Sequence, residues 1–405
     1  MIFSSIEFLL WFLPIFLIVY GITPRKYRNL TLLVGSIVFY ARGDVRYLPL
    51  LMISILCNYF LGLHLAKRSP KTLWRKKLLL ILTLGANLAV LLWFKDWGGS
   101  AGLPLGISFY TFQILSYQID VYRGEVSREY SFLKFATYVS MFPKLISGPI
   151  TRYGDISDSL TERTFTVRGL EDIAYSMEIY FDFWGYSLMA MGLGRMMGIE
   201  LPANFRRPYM ARSVRDFYRR WHMTLGQWFC RYVYIPLGGS RQGELRTIFN
   251  LLVVWMLTAF WHGAGWNFFC WGGLLWICIV LERQLGRLKF VHKMKVLPHI
   301  YLWLVIPMSW MCFAITDLSQ LQVYLDKMLW LVPGFSGGYE DAWKALSTYG
   351  GLLLVSGLAC TPVIEKLYHK WQDKLPVKVL LAGLFWYCIW RLLLEGNNPF
   401  MYFSF

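Results

Sequence analysis

Charged residues are scarce in this sequence. They make up 16% of its 405 residues, against about 25% in an ordinary soluble domain, whereas hydrophobic residues make up 56%. The mean hydropathy of +0.42 points the same way. Since a spanning helix needs roughly 20 mainly apolar residues, this composition excludes a soluble domain and predicts one all-α polytopic membrane unit of about eleven spans.

Acidic residues are also in the minority, with 24 Asp and Glu against 41 Lys and Arg. In a soluble protein the net charge of +17 would suggest nucleic acid as a partner. Here the basic residues gather in short loops between apolar runs, such as 67–77 and 282–295. Basic loops are typical of the cytoplasmic side, so we expect membrane lipid rather than nucleic acid as the surroundings. The alternation of loops then predicts that the N-terminus and the tail 395–405 both lie outside the cytoplasm.

Cysteine motifs and internal repeats are missing as well, and no cleavable leader is expected. The apolar start 1–20 has neither a basic flank before it nor a small-residue cleavage site, so we expect a first span rather than a signal peptide. The seven cysteines lack the C-x-x-C spacing, which argues against a disulfide framework or a zinc site. The absence of a two-fold repeat disfavours a transporter, which remains a remote alternative.

The pattern changes between 123 and 245, where apolar stretches become short and are interrupted by Pro, Gly and charge, as in 141–150. Irregular backbone at membrane depth is tolerated only inside protein or against a water-filled cavity. We therefore expect the functional core in this part of the chain. Six arginines within 204–221, among them Arg219 and Arg220, predict a segment at the cytoplasmic surface.

Two of the six histidines lie where an ionisable group is unusual. His222 follows Trp221 at the end of the arginine-rich segment, and His262 follows Trp261 between two apolar runs that leave almost no loop. A neutral imidazole is the usual general base near pH 7, so both are candidate catalytic residues. The alternative is a pair of structural histidines bonded to carbonyls. Their spacing does not fit a helical metal site, and no metal is expected.

One carboxylate is similarly placed. Asp182 lies among aromatic residues in a predicted membrane helix, so it should face the interior with a basic partner. A structural ion pair and a role in substrate binding are both open.

Several sequence blocks occur together in a fixed order. They are P-L-G-I-S-F-Y-T-F-Q at 104–113, S-G-P-I at 147–150, R-R-W-H at 219–222, Y-I-P-L-G-G at 234–239, W-H-G-A at 261–264 and P-F-M-Y-F-S-F at 399–405. In these blocks the chain resembles the membrane-bound O-acyltransferase superfamily, in its branch of bacterial polysaccharide O-acetyltransferases typified by alginate O-acetylase. The related D-alanyl transferases of teichoic acids share some of them and are the alternative.

The resemblance implies a multi-helix ring around a central tunnel, with about eleven spans and additional re-entrant or surface helices. The chain would form one domain, 1–405, with N-terminal spans 1–123, a catalytic core 124–281, C-terminal spans 282–394 and an extracytoplasmic tail 395–405. His262 matches the characteristic histidine of the superfamily, and His222 matches the second histidine of the branch. Trp221, Trp261, Asp182, Arg219 and Arg220 would line the tunnel or bind substrate.

The resemblance also implies the reactants and the setting. Acetyl-CoA would be the donor, with no bound cofactor, and a D-alanyl carrier protein is the alternative donor. The setting would be a bacterial cytoplasmic membrane, with a separate extracytoplasmic acetyltransferase of the SGNH type and polysaccharide machinery as partners. Tyr402 in the tail is a possible acyl relay, or else an aromatic anchor at the membrane interface.

Overall fold

A computed structural model describes residues 5, 7–65, 73–97, 102–146, 148–161, 182–285, 296–322, 358 and 360–395. This described part of the chain is helical and contains no β-strand, as the composition predicts. The chain divides into two compact units, one of Met1–Asn204 with Lys378–Phe405 and one of Phe205–Val377. The assignment of 1–405 to a single domain stays a prediction.

The α-helices are numbered in chain order. Those of the first unit are α1 (Leu13–Ile22), α2 (Arg28–Asp44), α3 (Leu48–Leu65), α4 (Leu73–Leu92), α5 (Ile107–Arg123), α6 (Phe132–Ser140), α7 (Phe142–Leu145), α8 (Tyr153–Ile156) and α9 (Asp182–Met196). Those of the second unit are α10 (Val214–Tyr218), α11 (Met223–Phe229), α12 (Glu244–His262), α13 (Trp266–Leu285), α14 (Leu297–Ala314) and α15 (Pro362–Trp371). Most of α16 (Leu375–Glu395) belongs to the first unit again.

Four helical stretches in the described residues are long and apolar enough to cross a membrane: Arg25–Leu65, Trp74–Lys95, Glu244–His262 and Trp266–Leu285. The first is 41 residues long. It contains a 3-10 turn, Val45–Tyr47, which the side chain of Asp44 caps by accepting from the backbone N–H of Arg46. Eleven spans and a central tunnel stay predictions.

The first unit is built around aromatic side chains and the buried helix α5. Phe142, at the start of α7, packs against Phe16 and Phe39 with ring centroids 5.0 and 5.4 Å away. Lys144, on the same short helix, is fully buried, and its Nζ donates to Oε1 of Gln113 on α5 at 2.6 Å. The irregular stretch that begins at 141 thus lies inside protein, as its sequence predicts.

The second unit is organised by the hairpin of α12 and α13. At its open end Arg283 forms a bidentate pair with Glu244, at 2.7 and 3.0 Å. Beside this pair, the carboxylate of Glu282 accepts from the backbone N–H groups of Val214 and Arg215, at 2.5 and 3.1 Å. An acidic side chain on the first amides of a helix satisfies donors that have no partner within the helix. Glu282 thereby ties α10, and the segment that leads to His222, to α13.

Candidate active site

His262 is the last residue of α12 and is enclosed by aromatic rings. Its side chain lies against Trp261, Trp271, Phe313 and Phe268, with ring centroids at 4.7, 5.0, 5.1 and 6.4 Å. These five residues are called the His262 cluster below. His262 is 8% exposed, so its imidazole lies in a mainly apolar environment from which bulk water is largely excluded.

Glycines allow the rings to approach so closely. A Cβ on Gly263 would lie 2.3 Å from Cε2 of Phe268, inside van der Waals contact. A Cβ on Gly272 would lie 2.9 Å from the carbonyl oxygen of Trp255 and 3.0 Å from Cβ of Ala259. Only glycine therefore permits this turn and this separation between α12 and α13.

Phe313 belongs to a third helix, α14, and a hydrogen bond from α13 holds it in place. Asn267, at the start of α13, is buried and donates from Nδ2 to the backbone carbonyl of Phe313 on α14 at 3.1 Å. A buried amide bonded to a specific carbonyl fixes the register between two helices, because either group would lose a partner if the helices slid. The His262 cluster thus draws on α12, α13 and α14.

A hydrogen bond within α12 settles the tautomer of His262. Its Nδ1 lies 2.8 Å from the backbone carbonyl oxygen of Thr258, four residues earlier. Because a carbonyl can only accept, Nδ1 carries the hydrogen, and in the neutral ring Nε2 is then the nitrogen that can take a proton. The carbonyl bond expected of a structural histidine is present, and it leaves the other nitrogen suited to a base.

His222 has an unusual backbone conformation. It lies at the N-terminus of α11 with φ 45° and ψ 51°, in the left-handed region that costs a non-glycine residue roughly 1–2 kcal/mol. Its ring is 4% exposed and packs edge-on against Trp261, with centroids 5.9 Å apart. The two predicted histidines therefore contact the same indole.

Burial lowers the pKa of His222 well below its usual range, and the nearby His262 lowers it further. Burial removes more hydration from a charged imidazole than from a neutral one. His222 is therefore uncharged at neutral pH and can offer a polarising N–H or a lone pair but no positive charge.

The other predicted residues fall in different places. Trp221 stacks on Phe217 and contacts Trp310 of α14, with centroids 5.6 and 4.9 Å away. Arg219 is exposed, and Arg220 donates to Oδ1 of Asp216 at 3.0 Å. The structure thus places both arginines at the surface near the end of α10. The side chain of Asp182 and the whole of Tyr402 lie outside the described residues.

Phe268, Trp271, Phe313 and Asn267 were not singled out from the sequence. Each is an apolar or amide residue in an apolar run, so nothing in its local pattern marks it. The bond to Thr258 could have been expected, since a helix places residues i and i+4 on one face. Among the described residues, no group of three or more His, Cys, Asp or Glu side chains could hold a metal ion.

His262 ends one apolar, membrane-length helix and packs against the next, and comparison with known proteins gives the class of the protein. The family model of the membrane-bound O-acyltransferases matches residues 155–320, which include both histidines. The chain belongs to this family and is an O-acyltransferase. The resemblance inferred from the sequence blocks is confirmed.

The similar proteins are named for three polymers, which are alginate, peptidoglycan and teichoic acid. The chain is 35% identical to a probable alginate O-acetylase of Pseudomonas putida, over 78% of each protein. It is 32% identical to a peptidoglycan O-acetyltransferase of Helicobacter pylori, over 82% of this chain and 80% of that protein. A teichoic acid D-alanyltransferase of Streptococcus thermophilus is 24% identical over 47% of this chain and 59% of its own length.

Proposed function

We propose that this chain takes an acetyl group from cytoplasmic acetyl-CoA and passes it across the membrane for O-acetylation of a cell-surface or exported polysaccharide. The observation that carries the proposal is His262, a buried imidazole whose Nδ1 bonds a carbonyl, so that Nε2 is the nitrogen able to take a proton. A hydroxyl that attacks a thioester must lose its proton, and imidazole is the usual group to take it near neutral pH.

In the proposed reaction the acceptor oxygen bonds to the thioester carbonyl carbon, and its proton passes to Nε2 of His262. The carbon–sulfur bond then breaks, and the leaving thiolate takes the proton that His262 holds. His222, kept uncharged by burial, positions the donor or polarises its carbonyl. Trp261 keeps the two imidazoles on one side of the site through its contacts with both.

The acetyl group is favoured over D-alanyl by the comparisons. Relatives named as O-acetylating enzymes align over about four fifths of this chain at 32–35% identity. The D-alanyltransferase aligns over 47% of the chain at 24% identity. A preference for acetyl-CoA follows, and the D-alanyl carrier protein becomes the alternative that the experiment must include.

Charge supports the direction of transfer. Basic loops predict the cytoplasmic face of a bacterial inner membrane, and alternation then puts both termini on the opposite face. The arginines near the end of α10, including the exposed Arg219, suit an anionic donor, whether coenzyme A phosphates or an acidic carrier protein. In this arrangement the donor enters from inside and the acceptor from outside.

The acceptor side involves a partner in this proposal. An extracytoplasmic SGNH-type acetyltransferase receives the acetyl group and delivers it to the polymer, as the family resemblance implies, and Tyr402 relays it between the two proteins. If so, Tyr402→Phe retains donor hydrolysis but loses transfer to the polymer, whereas Tyr387→Phe on α16 changes neither. Equal polymer acetylation by Tyr402→Phe and the wild type would contradict the role of Tyr402 as a relay.

The function is tested with protein purified in detergent and two radiolabelled donors, acetyl-CoA and a D-alanyl carrier protein. We expect release of free thiol from acetyl-CoA alone, and its loss in His262→Ala. His64→Ala is the matched control, because His64 is exposed on α3 and bonds a carbonyl in the same way. Turnover of the carrier protein alone would assign the chain to D-alanyl transfer. Full turnover by His262→Ala would contradict the mechanism.

A further inference from the structure

The indole N–H of Trp271 is a buried donor to which the proposed function gives no role. Trp271 lies on α13 and is 2% exposed, and its Nε1 is buried without a hydrogen-bond partner among the residues that the structure describes. Buried polar groups in native proteins are nearly always bonded, so an exception calls for a reason. Tryptophan in particular can only donate from Nε1, which means that the missing partner is an acceptor.

A second tryptophan on the same helix shows that α13 can satisfy an indole. Trp276 donates from Nε1 to the backbone carbonyl of Ile248 on α12 at 3.1 Å. Trp271 and Trp276 both contact α12, but the groups that surround their rings differ. Trp276 meets a backbone acceptor, whereas Trp271 meets aromatic rings.

The position of Trp271 is fixed by its neighbours. Its ring lies 5.0 Å from that of His262 at an angle of 71°, 5.2 Å from Phe313 and 5.8 Å from Trp255. The adjacent Gly272 brings α13 against the backbone of α12, so the helix cannot move away without losing this contact. The indole is thus a rigid donor beside the proposed base.

Acyl transfer needs such a donor. When a hydroxyl adds to a thioester, the electron pair of the carbonyl π bond moves onto the acyl oxygen, which becomes an oxyanion. A donor that is already fixed, desolvated and without a competing acceptor stabilises that charge without having to reorganise. A site for the acyl oxygen close to both His262 and a fixed N–H would meet this need.

We propose that Trp271 donates its Nε1–H to the acyl oxygen of the thioester and to the oxyanion that forms from it. This rests on the proposed function. The acceptor oxygen bonds to the carbonyl carbon, its proton goes to His262, and the negative charge settles on the oxygen that Trp271 holds. The intermediate then collapses, the carbon–sulfur bond breaks, and the thiolate takes the proton from His262.

The variant Trp271→Phe keeps an aromatic ring and removes the N–H. We expect kcat for acetyl-CoA turnover to fall about 100-fold, the loss typical of one oxyanion donor, while KM stays within about threefold. The melting temperature should stay level or rise, because the variant removes a donor that has no acceptor among the described residues. Trp276→Phe is the matched control, and it should lower the melting temperature and leave kcat unchanged.

A second measurement does not depend on the fold of Trp271→Phe. In the His262→Ala protein, which should bind donor without turning it over, the infrared carbonyl band of acetyl-CoA labelled with ¹³C at the carbonyl should shift to lower frequency on binding. The shift reports a hydrogen bond to the acyl oxygen, and it should disappear when Trp271→Phe is added. No shift in His262→Ala, or a shift that survives the second substitution, would overturn the proposal.

The outcomes separate this inference from the function on which it rests. Loss of turnover in His262→Ala with an unchanged kcat in Trp271→Phe would overturn the role of Trp271 alone. Full turnover in His262→Ala would overturn the proposed mechanism, and the role of Trp271 with it.

Discussion

Two histidines of this protein share one local geometry and differ in everything around it. His64 lies next to the end of α3 in the first unit, and His262 ends α12 in the second. In both, Nδ1 bonds the carbonyl oxygen four residues earlier, at 2.7 and 2.8 Å. His64 is exposed, whereas His262 is buried among four aromatic rings.

The comparison shows that the helix sets the tautomer, whereas the tertiary structure sets the surroundings of the ring. The imidazole of His64 is open to solvent, whereas Trp271 and Phe313 lie against the ring of His262 and keep bulk water away. Four predictions break or sharpen this contrast.

The largest effect is expected from the two histidines themselves. His262→Ala should lower thioester turnover by about 10² to 10⁴-fold, the usual contribution of a general base. His64→Ala removes the same local hydrogen bond and should leave turnover within twofold of the wild type. Radiolabelled product, counted at equal protein concentration, measures both. Equal losses of turnover in the two variants would contradict this account, because they would trace the loss to the hydrogen bond within the helix and not to the aromatic surroundings of His262.

The second largest effect is expected at the contact between Gly272 of α13 and the backbone of α12. Gly272→Ala places a Cβ about 3 Å from the backbone and side chains of α12, so the helices must separate. We expect a loss of about 1 to 3 kcal/mol in the free energy of unfolding, and a drop in turnover of up to about 100-fold. Gly273→Ala has open space within 4 Å and should stabilise α13 by about 0.5 to 1 kcal/mol. Turnover in Gly272→Ala that matches Gly273→Ala would contradict this account of the site.

The third prediction concerns the pH dependence of stability. In the folded protein burial keeps the pKa of His222 well below its usual range, whereas the unfolded chain takes up this proton near pH 6.5. Below pH 6.5 the unfolded state therefore binds more protons, and folding loses up to about 1.4 kcal/mol per pH unit from this group. Above pH 6.5 this contribution is constant.

His222→Gln should reduce the fall in stability between pH 6.5 and 5.5 by about 1 kcal/mol. Chemical unfolding in detergent at the two pH values measures it. An identical fall in the variant and the wild type would contradict the burial of an uncharged imidazole.

The smallest effect on turnover is expected from a polar pair of the first unit. Asn58 and Asn87 exchange side-chain hydrogen bonds between α3 and α4, at 3.1 and 2.9 Å. Asn87→Ala should lower the free energy of unfolding by about 1 to 3 kcal/mol, because Asn58 loses one of its hydrogen-bond partners. Turnover at a temperature where the protein stays folded should remain unchanged. A tenfold loss would extend the functional region to α3 and α4.

Sequence alone could predict the class of fold and the two histidines. The shortage of charge predicts membrane helices, and the position of His262 between apolar runs marks an ionisable group where few occur. The motif blocks identified the family, which the comparisons confirm. These signals are local or compositional, so they can be read from the sequence without knowing which helices are in contact.

The enclosure of His262 could not be predicted in the same way. Phe313 reaches the site from a helix about fifty residues later in the chain, and its position depends on the buried bond from Asn267. The left-handed backbone of His222 is also invisible, because a histidine carries no signal of the kind that glycine gives.

The central claim is that His262 acts in the chemical step and not in binding the donor. It is tested most directly by measuring donor binding and single-turnover acetyl transfer separately in His262→Ala. We predict an acetyl-CoA Kd within about threefold of the wild type and a transfer rate at least 100-fold lower. A rate equal to the wild type, or a loss fully explained by weaker binding, would contradict it.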